Sequence, residues 1–215
     1  MNEERKRALK ILAKLVRKYP NAPSTYLDYN NPFEMLIATI LSARAPDATV
    51  NEITPVLFKK CPNPRSLANA DTEKIAEIVR PCGAYNRKTA YIQDTARMLV
   101  EDHDGKVPDS MDDLVKFPGV SRKTGNVILQ VVFDKAEGIV VDTHVMRVST
   151  RLGLSENVDK PDKIEKDLMN LLPKGKWIEY SRIMGTHGRS LCEARKPKCG
   201  ECPVKDLCPS SHLGD

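Results

Sequence analysis

The chain has 215 residues, room for one large or two modest domains, and no run approaches the roughly 20 apolar residues of a membrane span, which excludes a spanning helix. Its 34 Lys and Arg against 29 Asp and Glu leave +5, too modest a charge to mark a polyelectrolyte by itself. The excess is concentrated, however, with seven Lys/Arg against two Glu in residues 1–18 and eight against four acids in residues 174–208, which favours a polyanionic partner. The opening Met1-Asn2-Glu3-Glu4-Arg5-Lys6-Arg7 is followed by an amphipathic pattern and not by the apolar block of a signal peptide, so a soluble cytoplasmic protein is expected.

Residues 5–18 place Ala8, Ile11, Leu12 and Leu15 on one face of a helix. Asn31-Pro32 opens the next, through Ser42, with Asn31 as N-cap, Pro32 at the first helical position and Phe33, Leu36, Ile37 and Ile40 as core. The break at Leu41-Ser42-Ala43-Arg44-Ala45-Pro46-Asp47 holds Arg44 on a tight loop, and Asp47 is expected to cap a helix reaching about Phe58 in spite of Pro55. Short helices are expected at 66–70 and, capped by Asp71 and stopped by Gly83, at 71–80; a longer one covers 86–103, closed by Gly105. No segment sustains a period-2 pattern, so the fold class is all-α.

Residues 117–126 read Phe-Pro-Gly-Val-Ser-Arg-Lys-Thr-Gly-Asn and lie between a short helical pattern at 111–116, capped by Ser110, and the apolar run 127–133. Pro118-Gly119 punctuates a turn that should direct the N–H groups of Val120, Ser121, Arg122 and Lys123 outward from a helix N-terminus, a seat for phosphate with a lysine on its rim. Further on, Asp142 is a good N-cap for a helix to Arg151, and helices are expected from Pro161 to about Leu172 and over 177–188.

Six cysteines are unevenly placed. Cys192-x6-Cys199-x2-Cys202-x5-Cys208 sets four thiolates within 17 residues, which points to metal, and the spacing alone leaves zinc and a [4Fe-4S] cluster both open. Arg195, Lys196 and Lys198 fall in the first loop of that cluster, where a tethered basic segment suits phosphate contact.

The hairpin stretch, the Val141-Asp142-Thr143-His144 segment nineteen residues beyond Lys123, and the cysteine spacing occur in an order that resembles the endonuclease III family of base-excision DNA glycosylases. Leu41-Ser42-Ala43, Gly83-Ala84-Tyr85-Asn86, Asp104-Gly105-Lys106-Val107-Pro108, His187-Gly188-Arg189 and Ala194-Arg195-Lys196-Pro197 are similar to that family at corresponding places. The resemblance implies a two-domain helix-hairpin-helix glycosylase fold, with a six-helix domain at 21–133 that contains the hairpin at 111–133. Residues 1–20 plus 134–215 would form the second domain and carry the [4Fe-4S] cluster on Cys192, Cys199, Cys202 and Cys208.

The family's nucleophilic lysine matches Lys123 and its catalytic aspartate Asp142. A neutral amine can attack the deoxyribose C1′ as the damaged base departs, and the resulting Schiff base permits β-elimination, so the implied activity is glycosylase plus AP lyase on oxidised pyrimidines. Asp142 would accept a proton or offset charge on the sugar. The base must leave the stack to be reached, so a residue must fill the gap. Gly119, Val120, Ser121, Arg122, His144, Arg195, Lys196 and Lys198 are the other expected DNA contacts, with Arg44 and Ala84 as the probing pair.

Four positions depart from the family pattern. Ser121 stands where the hairpin usually has a glycine, Arg44 replaces a gap-filling glutamine, Ala84 replaces a wedging leucine, and Gly125 replaces a frequent alanine. The implied partner is double-stranded DNA carrying a damaged base or an abasic site, with no membrane, and the protein is expected to act as a monomer at the nucleoid. A mismatch thymine or adenine glycosylase of the same fold is the alternative within the enzyme class, and a DNA-binding iron–sulfur protein that excises nothing is the alternative outside it.

Overall fold

A helix that is apolar on every side has to be surrounded, and Pro32–Leu41 (α2) is such a helix: all nine residues from Phe33 to Leu41 are buried. In the computed structural model, which describes residues 3–214, the chain divides into two units, Thr25–Asp134 and Met1–Ser24 with Lys135–Asp215. Met1, Asn2 and Asp215, at the ends of the expected second domain, lie outside the described residues. Among the described residues every regular element is helical and no strand occurs.

In the unit Thr25–Asp134, α2 is packed by Asp47–Lys60 (α3), Tyr85–Asp102 (α6) and Arg122–Phe133 (α8), while Pro64–Ala68 (α4), Thr72–Val79 (α5) and Met111–Leu114 (α7) complete the shell. Seven α-helices are thus described here, two of them very short, where the resemblance implies six. Met35, Leu36, Ile37, Leu41, Leu57, Leu67, Leu114 and Leu129 are fully enclosed, each contributing about 1.5–3 kcal/mol relative to exposure.

Two helix starts differ from expectation. The cap of α3 is Pro46 (φ −61°, ψ 142°), whose carbonyl accepts from Val50 N at 3.2 Å, so Asp47 lies inside the first turn and complements the dipole without capping. Helix α4 begins two residues early because Asn63 and Ser66 form a reciprocal capping box with Pro64 at the first helical position. The other starts follow the sequence signals: Asn31 accepts from Glu34 N, Asp71 from Glu73 N and Lys74 N, and Ser110 from Asp113 N.

The unit made of both chain ends contains Glu3–Lys18 (α1), Thr143–Arg151 (α9), Pro161–Leu171 (α10) and Trp177–Ser190 (α11). Ala8, Ile11, Leu12 and Leu15 of α1 are buried with Val145, Val148, Ile164, Leu168, Tyr180, Ile183 and Met184. Helices α9 and α11 approach closely enough that a β-carbon on Gly188 would stand 2.8 Å from that of His144. Beyond α11 the chain runs as short 3-10 turns at Cys199–Glu201, Lys205–Leu207 and Ser211–Gly214.

Candidate active site and metal centre

The hairpin is set by one glycine and one serine. Gly119 has φ 79°, and a β-carbon there would also come within 2.7 Å of Tyr91 Cδ2, so both backbone and space demand glycine. Ser121, at φ −82° and ψ 169°, has an ordinary extended backbone and caps α8, its Oγ accepting from Thr124 N at 3.3 Å. Serine in place of glycine here supplies a cap and strains nothing.

The expected four-residue phosphate seat is shorter than the sequence suggests. Val120 N donates to Phe117 O at 3.1 Å and the residue is 6 % exposed, so its N–H closes the turn and is not offered outward. The seat runs from Ser121 into the first turn of α8, where the dipole favours an anion. Lys123 lies in that turn, exposed, and among the described residues its ammonium has no hydrogen-bond or ion-pair partner.

In the same unit, Arg44 and Ala84 are both exposed and both left-handed, with φ 55° and 45°. Non-glycine residues pay strain there, of order 1 kcal/mol, unless the surroundings hold them. Arg44 follows the end of α2, in a turn closed by Ala45 N donating to Ser42 O at 3.0 Å. Ala84 follows the 3-10 turn Arg80–Cys82 and Gly83 (φ 67°), and begins α6 with no side-chain cap.

In the other unit Asp142 divides its two oxygens. Oδ1 accepts from His144 N at 2.9 Å and Val145 N at 2.7 Å, capping α9, while Oδ2 stands 3.6 Å from Arg189 Nη1 on α11. A cap role on one oxygen and an ion pair on the other therefore coexist. His144 is partly buried; burial, and then the Arg189 charge, hold its imidazole below its ordinary value, and Arg147 Nη2 lies 3.3 Å from its Nδ1.

All four clustered cysteines line one partly open pocket, with Arg151, His187, Leu191 and Pro197 in its wall. Among the described residues no three His, Cys, Asp or Glu side chains converge as a single ion requires. A zinc ion would draw four sulfurs to about 2.3 Å from one point, whereas an iron–sulfur cluster takes one thiolate per iron and spreads them. The donor set fits the cluster.

Burial raises the thiols of Cys202 and Cys208, and the neighbouring cysteines raise them further, so metal binding must displace their protons. Arg151 Nη1 reaches Cys192 Sγ at 3.5 Å and Glu193 O at 2.7 Å, fastening the loop on which Arg195, Lys196 and Lys198 are exposed. Lys198 pairs with Glu193 at 3.3 Å. His187, 2 % exposed and pushed down to about 4 by burial, has Nδ1 at 2.9 Å from Tyr19 OH and Nε2 at 3.7 Å from Cys202 Sγ.

Sequence reasoning passed over Lys88, which lies on the buried stripe of α6 with Ile92, Thr95 and Leu99, one and more turns beyond it. The signal was a lysine in a position that the period assigns to the core. It also passed over Arg147 and Arg151, whose side chains reach backbone carbonyls at Gly188, Cys192, Glu193 and Ala194; basic residues at i and i+4 on one helix face gave no hint of that task.

Residues 37–174 match the family model of the HhH-GPD superfamily base excision DNA repair proteins, and residues 192–208 match the iron–sulfur binding domain of endonuclease III. Endonuclease III of a Synechocystis species is 45% identical over 211 residues, 98% of this chain and 95% of the relative. A solved trapped endonuclease III–DNA covalent intermediate is 38% identical with TM-score 0.90, covering 99% of this chain and 98% of that one. A thermostable thymine-DNA glycosylase, at 21% identity and TM-score 0.84 over 96% and 97% of the two chains, shares the fold. The two-part match places the cysteine set within a [4Fe-4S] module, and the chain belongs to the endonuclease III family of base-excision DNA glycosylase/AP lyases.

Proposed function

We propose that this glycosylase/AP lyase excises oxidised pyrimidines from double-stranded DNA, with Lys123 as nucleophile and Asp142 as the catalytic carboxylate, and that it also cuts at abasic sites. The observation that carries the reading is the place of Lys123: an exposed, uncommitted amine in the first turn of α8, directly beyond a glycine hairpin suited to phosphate. The nitrogen bonds C1′ as the glycosidic electron pair leaves with the base. Ring opening gives the Schiff base, and loss of a C2′ proton expels the 3′ phosphate. Asp142 Oδ2, the oxygen not engaged in capping, takes the proton or balances positive charge on the sugar.

Arg44 and Ala84 probe the duplex at the lesion; Gly119, Val120, Ser121, Arg122 and His144 line the approach of the strand, Val120 through the turn it closes. Arg195, Lys196 and Lys198 hold phosphate from a loop braced at both ends by the cluster on Cys192, Cys199, Cys202 and Cys208. The cluster, when bound, would brace that loop and add local charge there. The protein works as a monomer at the cytoplasmic nucleoid.

Borohydride trapping on duplex DNA with thymine glycol or an abasic site tests the assignment. A covalent adduct with the intact chain that vanishes in Lys123→Ala is expected. An adduct that survives that substitution would move the nucleophile elsewhere. The arginine and alanine at the probing positions favour a shifted choice of opposite base, and a panel of lesions against each opposite base, for the intact chain and Arg44→Gln, measures it.

A further inference from the structure

Lys88 is 5 % exposed, and its ammonium is spent on two backbone carbonyls: Nζ donates to Leu41 O at 2.8 Å and to Cys82 O at 2.7 Å. Its own N–H donates to Ala84 O at 3.1 Å. Leu41 is the last residue of α2, and the turn that carries Arg44 starts at the next residue. Cys82 ends the 3-10 turn that leads through Gly83 to Ala84. Carbonyls at helix ends lack intrahelical donors and carry partial negative charge, so a cation satisfies both at once.

A buried ammonium is costly, and burial lowers the affinity of Lys88 for its proton; the two carbonyls offset part of that cost. Left-handed backbone at a non-glycine residue persists only where neighbours over-determine it. Arg44 and Ala84, two of the four such residues described, follow the two carbonyls held by Lys88.

We propose that Lys88 is a positioning residue for lesion recognition, locking the Arg44 and Ala84 turns to each other so that the two residues probe DNA as one unit. The inference rests on the reading above that Arg44 and Ala84 probe DNA. Without the ammonium, Leu41 O and Cys82 O lose their shared donor and each turn relaxes separately, so Arg44 no longer acts in register with Ala84.

A double-mutant cycle on the cluster-loaded full chain tests this, using Arg44→Ala, Lys88→Met and the two combined. Two readouts are taken below the unfolding range of every variant: single-turnover excision of thymine glycol, and fluorescence of 2-aminopurine placed opposite the lesion. Each single substitution is expected to lower both, and the loss in the double to fall short of the product of the singles by about threefold or more. Fold-losses that multiply would make Lys88 a purely structural residue and overturn the proposal, while leaving the probing role of Arg44 intact. If Arg44→Ala alone changes neither readout, the probing reading falls and the proposal with it. Lys88→Gln, which keeps N–H donors for one carbonyl, carries the same cycle if Lys88→Met does not fold, with the same criterion. Lys88→Arg, which keeps the cation, is expected to restore part of the coupling.

Discussion

Gly125 of α8 and Met111 of α7 occupy one space: a β-carbon on Gly125 would lie 2.6 Å from Met111 Sδ and 3.7 Å from Leu114 Cβ. Glycine inside a helix costs about 1 kcal/mol in propensity, so its presence is explained by the approach of the two hairpin helices. Gly125→Ala is expected to leave stability within about 1 kcal/mol of the parent, because the flexible Met111 thioether can move aside at a cost that offsets the gain in propensity of about 1 kcal/mol. Met111→Val in the same chain should relieve most of the clash. Thermal and urea unfolding of the single and double variants decide it; a Gly125→Ala protein that gains the full propensity term of about 1 kcal/mol would refute the shared-space argument.

Much of this was written in the chain. Apolar spacing gave α1 and α2, and capping residues placed the starts of α2, α5, α7 and α9, because a cap is a local interaction between residues two or three apart. What stayed hidden is long-range or conformational. Nothing about arginine or alanine announces φ 55° or 45°, and nothing about Lys88 announces carbonyls 47 and 6 residues away. A helix N-terminus implies an outward N–H at Val120, but the turn before it closes on Phe117 O and takes up that N–H, and no local pattern marks this closure.

The left-handed backbone of Ala84 has a measurable consequence. Ala84→Gly is expected to raise stability by about 1 kcal/mol, since glycine reaches φ 45° without strain. The same change loosens the entry to α6, so opposite-base discrimination should fall although the protein is more stable. Unfolding midpoints and excision ratios across the four opposite bases check the two halves separately; a loss of stability would show that φ at this position is not strained.

Acid should weaken the unit that contains α9 through His144. Its folded value is held below 6.5 by burial and by Arg189, against the opposing pull of Asp142, so between that depressed value and 6.5 the unfolded chain binds more protons. Stability from this group is present above pH 6.5 and is lost as pH falls toward the folded value. The pH dependence of unfolding for the parent and for His144→Asn, followed from pH 7 to pH 5, should differ in slope over that window; parallel curves would remove His144 as the cause.

The loop fastened by Arg151 predicts how binding depends on salt. Phosphate contacts release counterions, so affinity for undamaged duplex should fall steeply with salt, and each contact removed should reduce the log–log slope by about 0.9. Arg195→Ala and Lys196→Ala are the direct test, since both side chains are exposed and, among the described residues, neither forms an ion pair like that of Lys198 with Glu193. Fluorescence anisotropy between about 50 and 200 mM salt measures the slope. Unaltered slopes would take the loop out of the DNA interface.

Asp142 must be tested with its two tasks kept apart. Asp142→Asn keeps an oxygen able to accept from His144 N and Val145 N, so α9 remains capped, but removes the charge that faces Arg189 and that the proposed chemistry needs. Stability is expected to change by less than about 1 kcal/mol, while single-turnover excision falls by about 10²- to 10⁴-fold. Asp142→Ala removes both functions and should add about 1 kcal/mol of instability to the same catalytic loss. If Asp142→Asn excises as fast as the parent, the carboxylate is a cap and nothing more, and the proton must be carried by another group.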